Sequence, residues 1–106
     1  MAEVLLALST LPDETLATAL AKTLVEERLA ACVNILPGIR SVYAWQGELC
    51  DDNEVLMMIK TTNVRLPALR ERLSALHPHD VPELIALPVV DGLPPYLQWV
   101  NQCTTD

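Results

Sequence analysis

The sequence is short of the residues on which several kinds of site depend. It has no phenylalanine and only three glycines among 106 residues. RNA-binding modules of the RRM type stack bases on aromatic strand residues, and phosphate-binding loops need several closely spaced glycines, so both are excluded. The three cysteines, Cys32, Cys50 and Cys103, form no Cys-x-x-Cys pair, which argues against a zinc ribbon or a thioredoxin-like site. Their odd number and wide spacing favour reduced thiols.

Positive charge and long apolar runs are also scarce. Seven Lys and Arg against fourteen Asp and Glu give a net charge of −7, which argues against nucleic acid as a partner. No apolar run is long enough to predict a membrane span, and residues 1–10 lack the basic start of a signal peptide. With reduced cysteines, these absences predict a cytoplasmic protein. No nucleophile motif is present, so the sequence does not indicate an enzyme.

The first half of the chain predicts a strand, a helix and a hairpin. Residues 4–9 form a short apolar run typical of a buried strand, and residues 13–28 carry leucines every four positions, as on one face of a helix. Residues 31–44 and 54–61 are strand-like, and the polar stretch between Trp45 and Asp52 predicts the turn that joins them.

The second half predicts a helix, a strand and a last helix. Asn63 is expected to cap a helix that ends at His77-Pro78. Residues 83–90 predict a short strand, and Pro82 and Pro88 indicate that it lies at an edge or ends early. Pro94-Pro95 opens a last helix. The order predicts one α+β domain over residues 1–106 with a ferredoxin-like fold, βαββαβ plus a C-terminal helix, built on an antiparallel sheet with a long central hairpin.

The hairpin is too long for so small a domain. At about 3.3 Å per residue, a run of about 14 residues reaches about 45 Å, whereas a core of this size needs strands of about 20 Å. We expect a bulge at Pro37-Gly38, and beyond it an arm on which Tyr43 and Trp45 contact another chain. The alternative is an ordinary hairpin with a kink.

The second hairpin strand gives independent reason to expect an oligomer. Val55, Met57 and Ile59 alternate with Leu56 and Met58, so both faces of the strand are apolar. Two helices can cover one face of the sheet, and the last helix is too short to cover the other. An apolar sheet face of this kind needs a partner.

One polar cluster has the spacing of metal ligands. His77-Pro78-His79-Asp80 and Glu83 place two imidazoles and two carboxylates within seven residues, a set that suits a divalent cation such as Cu²⁺ or Zn²⁺. The alternative is structural, with His77 ending its helix and the others in a plain loop. Cys50-Asp51-Asp52 is a second candidate, for which a solvated hairpin tip is the competing interpretation.

Six segments in order along the chain resemble the CutA family of divalent-cation tolerance proteins. The motifs are the strand end STLPDE, the segment LAACVNI, the hairpin SVYAWQGE, the triplet KTT, the run HPHDVPE and the late YLQWV. The resemblance implies a ferredoxin-like homotrimer, with sheets joined edge to edge, the hairpin embracing a neighbour, and Tyr43, Trp45 and Trp99 at the interface. It also implies a link to copper and other divalent metals, with His77 and Glu83 carried over directly.

The chain departs from the family pattern at two positions. Ser9 stands where many bacterial relatives carry a cysteine proposed as a copper ligand, which puts soft-metal binding there in doubt. His79 stands where the family has tyrosine and adds a possible ligand. Two other functions stay open: a small-molecule-sensing trimer of the nitrogen-regulatory kind with a ligand in the subunit cleft, and a small hydrolase on the same fold.

Overall fold

The computed structural model describes residues 1–105 and has the predicted order of elements. These are β1 (Val4–Leu11), α1 (Glu14–Glu26), β2 (Cys32–Trp45), β3 (Glu48–Thr62), α2 (Leu66–Leu76), β4 (Ile85–Pro88) and α3 (Pro94–Cys103). All neighbouring strands are antiparallel, in the order β2-β3-β1-β4. The α+β ferredoxin-like fold is therefore confirmed. Over residues 1–105, no helix is long and apolar enough to cross a membrane.

The main core lies between the sheet and the helices α1 and α2. Met57 and Ile59 of β3 are fully buried there against Leu24 of α1 and Leu69 of α2. The opposite face of the sheet is covered only near one end, where Val100 of α3 packs in a separate small cluster. The predicted pattern of two apolar faces is confirmed, since Leu56 and Met58 lie half-buried on the face that α1 and α2 leave open.

The hairpin of β2 and β3 is even longer than the sequence predicts. Gln46 and Gly47 have φ values of 49° and 80° and close it as a two-residue turn. The predicted turn between Trp45 and Asp52 is confirmed at Gln46-Gly47, but it is shorter than predicted: β3 begins at Glu48 and not at Glu54, so Cys50-Asp51-Asp52 lies within a paired strand. The outer part of the hairpin is the arm (residues 39–54), and it helps stretch the molecule to 44 × 25 × 21 Å.

The predicted bulge at Pro37-Gly38 is confirmed, and it decides which arm side chains share a face. Leu36 pairs with Leu56 and Ile39 pairs with Glu54, so β2 carries one residue more than β3 between these two pairs. One extra residue exchanges the two faces of a strand. Beyond the bulge, Tyr43 and Trp45 consequently lie on the open face of the sheet, together with Glu54.

Three element ends differ from the sequence prediction. Asn63 does not cap α2: its Oδ1 accepts from Glu3 N and its N donates to Glu3 O, both at 2.9 Å, so it extends the β1–β3 pairing. α1 ends at Glu26, because Arg28 takes a φ of 60° that a helix cannot continue. The last strand covers only Ile85–Pro88, at the edge of the sheet beside β1, and its edge position is confirmed.

Ser9 places an unsatisfied hydroxyl in the core. It is fully buried, and Ser9 Oγ has no hydrogen-bond partner within residues 1–105. An unpaired buried polar group costs about 1–3 kcal/mol. We therefore expect Ser9→Ala to raise the free energy of unfolding by about 1 kcal/mol in urea titrations. Ser41→Ala, at a half-buried arm position, should change it by less than about 0.5 kcal/mol. A loss of stability in Ser9→Ala would mean that the hydroxyl is satisfied in solution.

Candidate functional site

The bulged arm and the loop between α2 and β4 enclose an open cavity of about 660 Å³, here called the arm cleft. The arm supplies Tyr43, Trp45 and Glu54, and the loop supplies His79, Asp80 and Glu83. The cleft therefore joins two groups that the sequence suggested separately, the aromatic arm residues and most of the polar cluster. Glu54 was missed by the sequence analysis, because only the strand register brings it opposite Ile39 and towards the loop.

His77 lies behind the cleft and holds the loop in place. Its side chain is 7% exposed, its Nε2 lies 2.7 Å from Thr10 O, and its Nδ1 accepts from His79 N at 3.1 Å. A carbonyl oxygen only accepts, so the ring carries its proton on Nε2. Both ring nitrogens are engaged within the chain. His77 could bind a metal only by giving up one of these two hydrogen bonds.

The other three predicted ligands are exposed at the cleft. His79, Asp80 and Glu83 line it, and the ring of His79 lies 4.8 Å from that of His77, centroid to centroid. Within the described chain, no three His, Cys, Asp or Glu side chains are grouped closely enough to hold a metal ion. The metal site over His77, His79, Asp80 and Glu83 stays a prediction, and one chain offers only part of a coordination sphere.

The cleft is negatively charged. Glu54, Asp80 and Glu83 line it, and none of its described lining residues is Lys or Arg. Partial loss of solvation raises the pKa of Glu83 above its ordinary value, and the negative charge of Glu54 raises it further. A cation placed between these two carboxylates would stabilise their charged forms and so lower the pKa of Glu83 again.

Two other carboxylates of the arm, Asp51 and Asp52, have side-chain partners within it. Arg40 donates from Nε to Asp51 Oδ1 at 2.7 Å and from Nη2 to Oδ2 at 2.9 Å, which lowers the pKa of Asp51. Tyr43 Oη donates to Asp52 Oδ2 at 2.6 Å, and this hydrogen bond is the main reason why the pKa of Tyr43 is raised. The two aspartates beside Cys50 therefore brace the arm. Arg40 is already matched by Asp51 and does not neutralise the cleft.

The raised pKa of Glu83 sets a pH dependence. Because the folded chain holds this proton more tightly than the unfolded chain, wild-type stability should fall as pH rises upward from about 4.5. In metal-free buffer, Glu83→Gln should therefore gain stability over wild type near pH 7, and the gain should vanish below pH 4, by urea titration. Glu71→Gln, on the exposed side of α2, is the matched control. An equal gain at both pH values would contradict the assignment.

Trp99 lies away from the cleft. It is on α3, which packs near the Val4 end of the sheet, and its ring lies 5.6 Å from that of Tyr96, centroid to centroid, at an interplanar angle of 39°. Like Tyr43 and Trp45 it is about two-fifths exposed. The three residues predicted for an oligomer interface therefore do not form one surface on a single chain.

The comparisons with known proteins agree with this geometry. The family model "CutA1 divalent ion tolerance protein" matches residues 5–103. The "Divalent-cation tolerance protein CutA" of Thermus thermophilus is 54% identical over 97 residues, which cover 92% of this chain and 94% of the relative. "Protein CutA" of Mus musculus is 54% identical over 95 residues, 90% of this chain, and the chain spans about half, 54%, of that relative.

A solved structure of the Thermus thermophilus divalent cation tolerance protein superimposes closely. The TM-score is 0.93 at 51% sequence identity, with 96% of this chain and 99% of that chain covered. The superposition therefore takes in nearly the whole of this chain. The chain belongs to the CutA1 family of divalent ion tolerance proteins.

Proposed function

We propose that this protein serves divalent-cation tolerance by binding a cation such as Cu²⁺ in the arm cleft. His79, Asp80 and Glu83 are the proposed ligands. The main role of His77 is to position the loop that carries them. An imidazole with two carboxylates suits Cu²⁺ or Zn²⁺ better than Mg²⁺, which prefers an all-oxygen shell and retains its waters. The proposal includes no catalytic step.

One observation carries the proposal. The cleft collects the carboxylates of Glu54, Asp80 and Glu83 with no Lys or Arg among its described lining residues, and partial burial, with the charge of Glu54, raises the pKa of Glu83. Because one chain offers an incomplete ligand set, affinity should be modest unless a second chain completes it. The buried hydroxyl of Ser9 supplies no soft ligand for Cu(I).

Calorimetric titration of Cu²⁺ and Zn²⁺ tests the proposal. Wild type should bind saturably, and the double variant His79→Ala/Glu83→Gln should lose at least about tenfold in affinity. His77 is left intact, so the loop keeps its hydrogen bonds and the comparison reports on ligands rather than folding. Glu71→Gln, on α2, should bind as wild type does. Binding should weaken as pH falls through about 6.5, because protonated imidazole cannot ligate. Equal heats from wild type and the double variant would overturn the proposal.

We further propose a cytoplasmic homotrimer. Both edges of the sheet, β2 and β4, are open for pairing between chains, and the open sheet face keeps apolar side chains that α3 leaves uncovered. Val42, Tyr43, Trp45 and Leu49 are exposed on the arm, at 65, 41, 43 and 80%. A neighbouring chain against the arm would bury them. The cysteines are free thiols, in keeping with a reducing compartment.

A further inference from the structure

The connection between β4 and α3 holds the one Asp-Gly pair of the sequence, Asp91-Gly92. No other Asp or Asn in the chain is followed by glycine. Because glycine has no side chain to shield its backbone nitrogen, this nitrogen can approach the carboxyl group of the preceding aspartate. The pair is therefore a candidate for attack of the main chain on its own side chain.

The structure already brings the two reacting groups together. Gly92 N donates to Asp91 Oδ1 at 2.8 Å, and the carbon that would be attacked, Asp91 Cγ, is one bond further. Both residues are exposed and lie outside the helices and strands, so water reaches the pair and the backbone can adjust. Intramolecular reactions are fast when the reacting groups are held close together in this way.

Other exposed aspartates lack this combination. Asp51 and Asp52 lie in β3 and have side-chain partners across the arm. Asp80 lies in a loop, as Asp91 does, but the residue that follows it is Val81, whose branched side chain crowds the backbone nitrogen. Asp80 therefore serves as an internal control for the reactivity of Asp91.

The main chain at Gly92 packs closely on α3. A Cβ placed on Gly92 would lie 3.2 Å from Leu97 Cδ2, and Leu97 packs on the small cluster that joins α3 to Val4 of β1. The loop is short and fixed at both ends, because Val89 N donates to Val4 O at 3.1 Å and Pro94 opens α3. Added main-chain length in this loop would consequently displace Leu97.

We propose that Asp91-Gly92 is a site of spontaneous isoaspartate formation, and that this modification loosens α3 from the sheet. Gly92 N attacks Cγ of the Asp91 carboxylic acid: the N–Cγ bond forms, the bond from Cγ to the hydroxyl breaks, and the hydroxyl leaves as water with the proton of the amide. Water then opens the succinimide ring at the main-chain carbonyl of Asp91. The chain now runs through Cβ and Cγ, one methylene carbon longer, and the product has the composition of the original residue.

Incubation of the full-length chain in its native assembly, for weeks near neutral pH and at physiological temperature, tests the modification. Protein isoaspartyl methyltransferase with labelled S-adenosylmethionine measures isoaspartate, and fragment mass spectra locate it. Wild type should accept at least about ten times more methyl groups than Asp91→Glu, in which the same attack would have to close a less favourable six-membered ring. The isoaspartate should lie at residue 91 and not at Asp80.

A free peptide of residues 88–95 tests whether the fold favours the reaction. The native chain should form isoaspartate no more slowly than the peptide, because the loop holds the two groups in contact. A native rate more than about tenfold below that of the peptide would mean that the fold protects the pair, and would overturn the proposal. Equal methyl acceptance by wild type and Asp91→Glu, or isoaspartate at Asp80 to the same extent, would overturn it as well.

Hydrogen exchange tests the effect on α3. The modified fraction, separated by chromatography, should exchange the backbone hydrogens of Leu97 and Val100 at least about tenfold faster than the unmodified fraction. The backbone hydrogen of Met57, in the main core, should exchange at the same rate in both fractions. Equal exchange at Leu97 and Val100 in the two fractions would overturn the loosening of α3. These measurements involve no metal, so their outcome is independent of the proposed cation site.

Discussion

Trp45→Ala is expected to release monomers from an assembly of three chains. Wild type should scatter light as a particle of about three times the chain mass of 11.7 kDa. Trp45 is a large ring that is 43% exposed on an arm with little of its own domain to cover it. Buried aromatic residues of this kind contribute about 2 kcal/mol or more to an interface. In the variant, this free energy should be lost at each contact between chains of the trimer. The mass measured for Trp45→Ala should therefore fall steeply on dilution.

The matched control for this substitution is Val25→Ala. Val25 is 41% exposed on α1, in the helical layer and away from the arm. It should leave the mass unchanged at every concentration. The same assembly predicts that the wild-type unfolding midpoint rises with protein concentration. A wild-type mass of one chain, or a Trp45→Ala mass equal to that of wild type, would contradict the trimer.

His77→Ala is expected to be among the most destabilising single substitutions in the chain. It removes a buried ring and leaves Thr10 O and His79 N without their partners. Unsatisfied backbone groups and a cavity together should lower the free energy of unfolding by about 2–4 kcal/mol in urea titrations. His77→Ala should also loosen the loop that carries the cleft carboxylates.

His79→Ala is the matched control, two residues away. Its side chain is exposed, and its ring nitrogens have no hydrogen-bond partner among residues 1–105. It should change stability by less than about 0.5 kcal/mol. If the two variants were equally stable, the hydrogen bonds of His77 would not be what holds the loop. If His77 were replaced in a metal titration, weaker binding could come either from a lost ligand or from a loosened loop. Replacing His79 alone, with His77 intact, avoids this ambiguity.

The fold was predictable because its signals are local. Leucines at helical spacing identify the helices and their buried faces, and the alternation of side chains around Met57 identifies a strand with two apolar faces. Pro37-Gly38 predicts the bulge. The turn was predicted too long, because Gln46 adopts a positive φ that its residue type does not indicate. Asp51 and Asp52 pair with Arg40 and Tyr43 across the arm, although a polar turn was expected there.

The site was only half predictable. The His77–Glu83 cluster is visible as a local pattern, but whether an imidazole faces a cleft or a backbone carbonyl depends on contacts such as that between His77 and Thr10, 67 residues apart. Glu54 enters the cleft through strand register and the one-residue shift at the bulge. Long-range pairing of this kind leaves no local signal, which is why Glu54 was missed.

The arm cleft is the proposed site of the divalent cation. X-ray diffraction at the copper absorption edge, from crystals grown with Cu²⁺, locates the metal directly. We expect an anomalous peak in the cleft, at about 2.0–2.5 Å from a His79 ring nitrogen or from carboxylate oxygens of Asp80 or Glu83. A peak only elsewhere on the chain, or none at saturating copper, would contradict it.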